Sequence, residues 1–191
     1  MHGVAHVWGY YMAFVDYTLL SNKYQTGKMA ENLQLIIEFD IFHCLLAGSD
    51  TRANAVKSRI SGLPNEFLSW LEVCDGGLLF DTTMLTTKTH DAELGLDFYT
   101  YGDFSNAEVR QELKLSEDWF VFAIAVHSDV FFFNKAKMDG KVYQWDVEEE
   151  ILYAEWSTFE DWLSDQIQEA IEQIADDNIL PLSIKMVIDN E

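Results

Sequence analysis

The sequence predicts an α+β domain: a mostly antiparallel sheet with helices packed on one face. Three observations predict it. Apolar residues recur at helical spacing in segments near both ends of the chain, and β-branched and aromatic runs broken by turn residues fill the stretch from Trp119 to Trp156. The order of helices first, a meander in the middle and a closing helix is the order in which helices gather on one face of an antiparallel sheet. A chain of 191 residues, 49% of them hydrophobic, is long enough and apolar enough to close one core. Three parts are expected: an aromatic N-terminal extension over residues 1–28, a single α+β domain over 29–177, and a C-terminal segment, 178–191, that packs back on the body.

Residues 1–28 are rich in Trp, Tyr and Phe without a clean period, which is why they are read as an extension. From Met29 to Ala47 the set Met29, Leu33, Ile36, Ile37, Ile41 and Leu45 follows helical spacing and predicts one buried helix, ended by Gly48-Ser49-Asp50. A short helical stretch is expected before Gly62. Pro64 then stands at a natural first helical position, with Phe67, Leu68 and Leu71 on one face and Gly76-Gly77 as the stop. Leu78-Leu79-Phe80 is a short strand candidate, Thr82 to Asp91 reads as a loop, and Asn106 to Leu115 as a brief helix. Trp119–Val126 and Val130–Phe133 form a predicted hairpin across His127-Ser128-Asp129. Met138-Asp139-Gly140 supplies turn chemistry before a third strand, Val142–Val147, and Ile151–Trp156 is the fourth. Ser157 with Glu160 three residues on is a capping-box pattern, after which Trp162, Leu163, Ile167, Ala170, Ile171 and Ile174 define one helix face ending near Asp176.

Charge narrows the functional classes. Twelve Lys and Arg against 33 Asp and Glu give a net charge of −21. Residues 1–59 hold five acids and five bases, so the whole deficit lies beyond Arg59, and no basic residue occurs between Lys141 and Lys185. Direct binding to nucleic-acid phosphates is not expected, because that affinity comes from basic residues displacing counterions. Two readings of the acidic region stand: a solvated face that keeps the chain soluble, and a field that steers cationic partners. The two cysteines, Cys44 and Cys74, lie in apolar, helical-looking stretches and read as small buried hydrophobes in a reducing compartment. The first twenty residues lack a basic leader, and Asp16 interrupts their apolar run. Neither a secretory signal nor a membrane span is expected, and the protein is placed in the cytoplasm.

The stretch Gly62–Phe80, GLPNEFLSWLEVCDGGLLF, resembles a signature of the SUKH superfamily: Leu63-Pro64, a helix, an aromatic, then Gly76-Gly77 and an apolar run. Asp129–Asn134, Gly140–Asp146 and Ser157–Leu163 follow in the order that superfamily shows, so the resemblance covers roughly residues 60 to 165. The superfamily includes a fungal cell-wall-synthesis regulator and many bacterial immunity proteins. The resemblance implies a non-enzymatic α+β binding domain, most often an immunity protein that neutralises a cognate toxin, frequently a nuclease, by direct contact.

The candidate partner-binding residues are Asp146, Glu148, Glu149, Glu150 and Glu155, in the acidic strand-and-loop region beside the sheet. The residues that carry the motif, Leu63, Pro64, Gly76, Gly77, Phe80, Trp145, Trp156, Phe159 and Trp162, are read as structural: glycines for a helix cap and tight turn, aromatics for packing rather than a ligand cage. Asp129, Asn134 and Asp146 flank strands, where short polar residues close turns. No catalytic residue, cofactor or metal is assigned. His2, His6, His43, His90 and His127 are scattered, there is no H-E-x-x-H, C-x-x-C or phosphate-binding glycine loop, and the His2/His6 spacing sits at a terminus that frays. The expected partner is a protein, a basic toxin domain, with no membrane contact. The other two readings are a regulatory scaffold that recruits cellular proteins and an acidic mimic of nucleic acid that blocks a DNA-binding protein.

Overall fold

The computed structural model describes residues 4–7, 10–13, 22–39, 42–79, 82–85, 106–125 and 127–176. A separate two-stranded antiparallel ladder, β1 (Val4–Val7) and β2 (Tyr10–Ala13), precedes the body. The body runs α1 (Lys28–Phe39), β3 (Phe42–Ala47), α2 (Asp50–Arg59), α3 (Asn65–Leu71), β4 (Cys74–Leu79), β5 (Thr82–Met84), α4 (Asn106–Glu112), β6 (Trp119–Ala125), β7 (Val130–Asn134), β8 (Val142–Asp146), β9 (Ile151–Trp156) and α5 (Phe159–Asp176). Strands β3 to β9 form one seven-stranded sheet in chain order, antiparallel at every pairing, with β3 and β9 at its edges. This is the α+β architecture the sequence predicts. Strands adjacent in the chain are adjacent in the sheet throughout, although α2 and α3 intervene between β3 and β4 and α4 between β5 and β6.

The main core lies between the sheet and α1, α2, α3 and α5. It joins Met29, Leu33 and Ile36 of α1, Ala53 of α2, Phe67, Trp70 and Leu71 of α3 and Phe159, Trp162, Leu163 and Ile167 of α5 to Phe122, Phe131, Phe133 and Val142 of the sheet. A smaller core on the opposite face gathers Val121, Ile124, Val130, Phe132 and Tyr143 under Val109 of α4. The sheet is therefore apolar on both faces in its middle. This explains why β6 and β7 read as continuous apolar runs rather than alternating ones. A bulge adds to the effect: Val121 pairs with Phe132 but Ala123 with Phe131, so Phe122 is the extra residue and both Phe122 and Ala123 turn to the helix side.

Several local expectations give way to tertiary structure. The single helix expected over 29–47 stops at Phe39, and Phe42–Ala47 is a strand paired with β4, so Cys44 stands in a strand. An apolar run of this kind fits both periods, and the unfilled edge of β4 decides between them. Gly76 and Gly77 are not a helix cap. Helix α3 closes earlier, where the Val73 N–H donates to the Trp70 carbonyl at 3.0 Å, and the two glycines lie inside β4 at φ of 86° and 137°. Leu45 pairs with Gly77 and Ala47 with Cys74, so Asp75 and Gly76 together oppose Leu46 in a bulge that glycine alone enters cheaply. The stretch read as a loop from Thr82 contributes β5, which joins β4 to β6. Helix α5 is capped one residue later than expected: the Thr158 hydroxyl, not that of Ser157, accepts the Asp161 N–H at 3.0 Å. Phe80, His2, His90 and the segment 178–191 lie outside the described residues.

Gly48 has a role the sequence reading did not assign. It joins β3 to α2 where the end of α3 passes, and its N–H donates to the Val73 carbonyl at 3.0 Å. A Cβ there would stand 2.2 Å from the Leu71 carbonyl oxygen and 2.7 Å from the Val73 nitrogen, both backbone atoms. Gly48→Ala is therefore expected to destabilise the fold by more than about 1 kcal/mol, since the clash is with main chain rather than a movable side chain. Urea unfolding checks this: the midpoint should fall with an unchanged slope.

Candidate functional site

The turn between β8 and β9 is built by Asp146. Its Oδ1 accepts the N–H of Glu148 and the N–H of Glu149, each at 2.9 Å, which folds residues 147–150 back on the strand. Glu150 completes the reversal in the left-handed region at φ 54°, a conformation asparagine or glycine adopts more cheaply. Glu148, Glu149 and Glu150 are exposed, and among the described residues no ion pair neutralises them. Asp146 itself is half-buried with one oxygen committed to the turn. Of the five acids picked from the sequence, it is the one that shapes the site.

Glu155 stands apart from the other four. It lies four residues along β9 from Ile151, about 13 Å at the usual rise of a strand. There it accepts a hydrogen bond from Lys141 Nζ at 2.7 Å, which in turn raises the Lys141 pKa. At that end of the β8–β9 ladder the charges are matched. Asp139 Oδ2 accepts the Tyr143 hydroxyl at 2.6 Å, its Oδ1 accepts the Lys141 N–H at 3.1 Å, and Lys137 donates to the Tyr143 oxygen at 3.1 Å. Burial pushes the Asp139 carboxyl up, but the Tyr143 hydroxyl, the Lys141 N–H and the charge of Lys137 outweigh it and hold the pKa below its ordinary value. The ladder thus has a neutralised end at 137–143 and a bare acidic end at 146–150.

Beside the acidic turn, β9 is open to solvent. Ile151, Leu152 and Tyr153 are 50%, 48% and 67% exposed, unusual for large apolar residues on a strand. Trp156 lies on the helix side, 5.9 Å from the Phe131 ring, and its indole N–H donates to Asp165 Oδ2 at 3.1 Å. Between β9, the neighbouring strands and α5 opens a cleft of about 320 Å³ whose walls include Asp129, Phe131, Tyr153, Trp156, Asp165 and Glu169. The sequence reading missed this cleft. Its available signal was the polar stripe Asp165, Gln166, Glu169 and Gln173, which runs at helical spacing alongside the apolar face of α5.

The residues that carry the motif are spread through the domain and do not converge on one point. Leu63 packs half-buried against the main core, and Pro64 caps α3 from outside, its carbonyl accepting the Leu68 N–H at 3.1 Å. Phe159 and Trp162 are fully buried, whereas Trp145 lies on the opposite face with its ring 5.2 Å from Trp119. Cys74 is fully buried, and desolvation lifts its thiol pKa well above the ordinary value. Among the described residues no helix is long and apolar enough to cross a membrane.

The order of α3, the bulged β4, the β6–β9 meander and the capped start of α5 is matched as a whole by the model of the SMI1/KNR4 family (SUKH-1), over residues 54–165, more than half of the chain. The chain belongs to this family. Membership supports a role in immunity or regulation through protein contact, and the SMI1/KNR4 match takes in the acidic turn, all of β9 and the wall of the cleft as far as Asp165. No curated protein and no solved structure matches the chain.

The charge-matched end of the β8–β9 ladder of this SMI1/KNR4 domain makes a pH prediction. A carboxyl held below its unfolded value stabilises the fold fully above the ordinary aspartate pKa of about 3.9 and loses that contribution as pH falls through the folded value. Tyr143→Phe removes the hydroxyl donor, so the Asp139 midpoint should rise toward the ordinary value in a carboxyl-detected NMR titration. An unmoved midpoint would mean that the Tyr143 bond does not set it.

Proposed function

We propose that the chain is a non-enzymatic, cytoplasmic immunity protein that neutralises a cognate basic, nuclease-like bacterial toxin by direct contact. Family membership supports an immunity or regulatory protein. The observation that carries the reading toward a basic partner is the Glu148-Glu149-Glu150 turn, exposed, without ion pairs among the described residues, and set beside the exposed Ile151, Leu152 and Tyr153. Apolar residues rimmed by unmatched charge suit a protein interface: the apolar patch supplies burial, and the carboxylates supply steering and exclude acidic competitors. A nuclease surface is cationic because it holds phosphate, so the field that attracts it to nucleic acid also attracts it to this turn.

The experiment is capture of partners from the native host by the immobilised protein, repeated with E148K/E149K/E150K. The wild type is expected to retain one basic protein that inhibits growth when produced alone, and the reversed variant to bind it at least about tenfold more weakly at low salt, with the gap closing as salt screens the field. Equal binding by the two proteins at low salt would overturn the assignment of the turn. Retention of several regulatory proteins instead of one toxin would favour the scaffold reading.

A further inference from the structure

The acidic turn leaves the neighbouring cleft without a role, and the cleft has a construction of its own. In the β8–β9 ladder Gln144 pairs with Ala154 and Trp145 with Leu152, so Tyr153 is an extra residue in β9. A strand without this bulge would send Tyr153 and Ala154 to opposite faces; here both line the cleft, and Tyr153 is 67% exposed. The same bulge interrupts the outer edge of the sheet and so disfavours addition of a further strand there. What the edge offers instead is an exposed aromatic residue lining an opening.

The opposite wall is acidic and oriented. Asp165 and Glu169 follow one another at four-residue spacing on α5, and Asp129 enters from the β6–β7 turn. Asp165 is held through Oδ2 by the Trp156 indole N–H at 3.1 Å, and Asp129 through Oδ2 by the Gln144 side-chain amide at 2.9 Å. Asp165 and Asp129 are each fixed by one oxygen, and no described hydrogen bond engages the other. Among the described residues lining the cleft, which include His127, none is Lys or Arg, and its 320 Å³ lies at the small end of ligand pockets.

We propose that this cleft receives an arginine side chain of the partner protein; the proposal rests on the reading of the chain as a binder of a basic protein. Arginine fits where lysine does not. Its planar guanidinium stacks on the Tyr153 and Trp156 rings while its rigid fork of donors meets carboxylates on two sides, and its weak hydration lowers the cost of leaving water. An ammonium group satisfies the charge but not the stacking. The cleft then supplies register to an association that the acidic turn only attracts.

The test begins without the partner. The full chain, labelled with nitrogen-15, is titrated with N-acetyl-arginine amide, N-acetyl-lysine amide and N-acetyl-norleucine amide while the Trp156 indole and the amides of residues 153–156 and 165–169 are followed. The arginine probe should shift these signals saturably, bind about fivefold or more tighter than the lysine probe, and outcompete the norleucine probe entirely. D165N/E169Q should abolish the shifts and Y153A should bring arginine to the level of lysine, with signals of the Phe122 and Phe159 core unmoved in both. Absence of saturable shifts, equal response to lysine, or shifts that survive D165N/E169Q would each overturn the proposal. E148K/E149K/E150K separates the two readings: it should weaken the whole partner at low salt while, at salt that screens the turn, the probe amide of arginine still binds tighter than that of lysine. A partner that binds D165N/E169Q and Y153A as tightly as wild type would sink the cleft while leaving the binding function standing.

Discussion

Phe67 meets Phe133 at 4.9 Å and Phe122 and Phe159 at 5.4 Å, ring centre to ring centre, and Trp162 stands edge-on to Phe122 at 4.8 Å. The domain depends on this aromatic knot. It ties α3 and the first turns of α5 to the middle of the sheet, and its tilted and edge-to-face contacts are the arrangement that ring quadrupoles favour. Its reach is limited. Beyond Leu163, α5 presents Gln166, Glu169 and the small Ala170 toward the sheet in place of aromatic rings, so the packing that closes the core near α3 leaves a cleft that reaches β9. The same constraint that stabilises one end of α5 thus opens a surface at the other.

Electrostatics follow this division. Three acids are matched: Lys28 pairs with Asp161 between α1 and α5, Lys23 with Glu72 below α3, and Lys141 with Glu155 across the β8–β9 ladder. The hydrogen bond from Lys28 is the main reason the Asp161 carboxyl lies below its usual pKa. From Asp146 to Glu150 the matching stops. Three adjacent exposed carboxylates repel one another, a modest cost in water that a cationic partner would remove. Exposed pairs of the first kind add little stability by themselves.

Much of this was legible in the sequence, for identifiable reasons. The strands β6 to β9 appear within a residue of their expected ends because turn residues punctuate them: His127-Ser128-Asp129, Met138-Asp139-Gly140, and the turn that Asp146 closes. The apolar face of α5 appears because Trp162, Leu163, Ile167 and Ala170 hold a strict helical period. The strand Phe42–Ala47 did not, since FHCLLA carries no alternation and only the free edge of β4 makes it a strand. Gly76-Gly77 looked like a helix stop because a positive φ serves a cap and a bulge equally well, and register alone tells them apart. Helix α4, expected as a helix, covers the second face of the sheet through Val109, a placement that no local pattern encodes. At the candidate site the acidic turn was visible as composition. The cleft was not, because it brings Asp129, Tyr153 and Asp165 together from three elements and depends on one bulged residue.

The proposed contact surface lies at the β8–β9 end of the sheet, on the side of α5, and its most direct measurement is amide hydrogen exchange of the chain free and bound to the basic partner it retains. Exchange should slow over residues 144–156 and 165–173, with α4 and the stretch from Leu113 to Trp119 unchanged. Protection confined to α4 and the face it covers, with β9 exchanging as in the free protein, would contradict it.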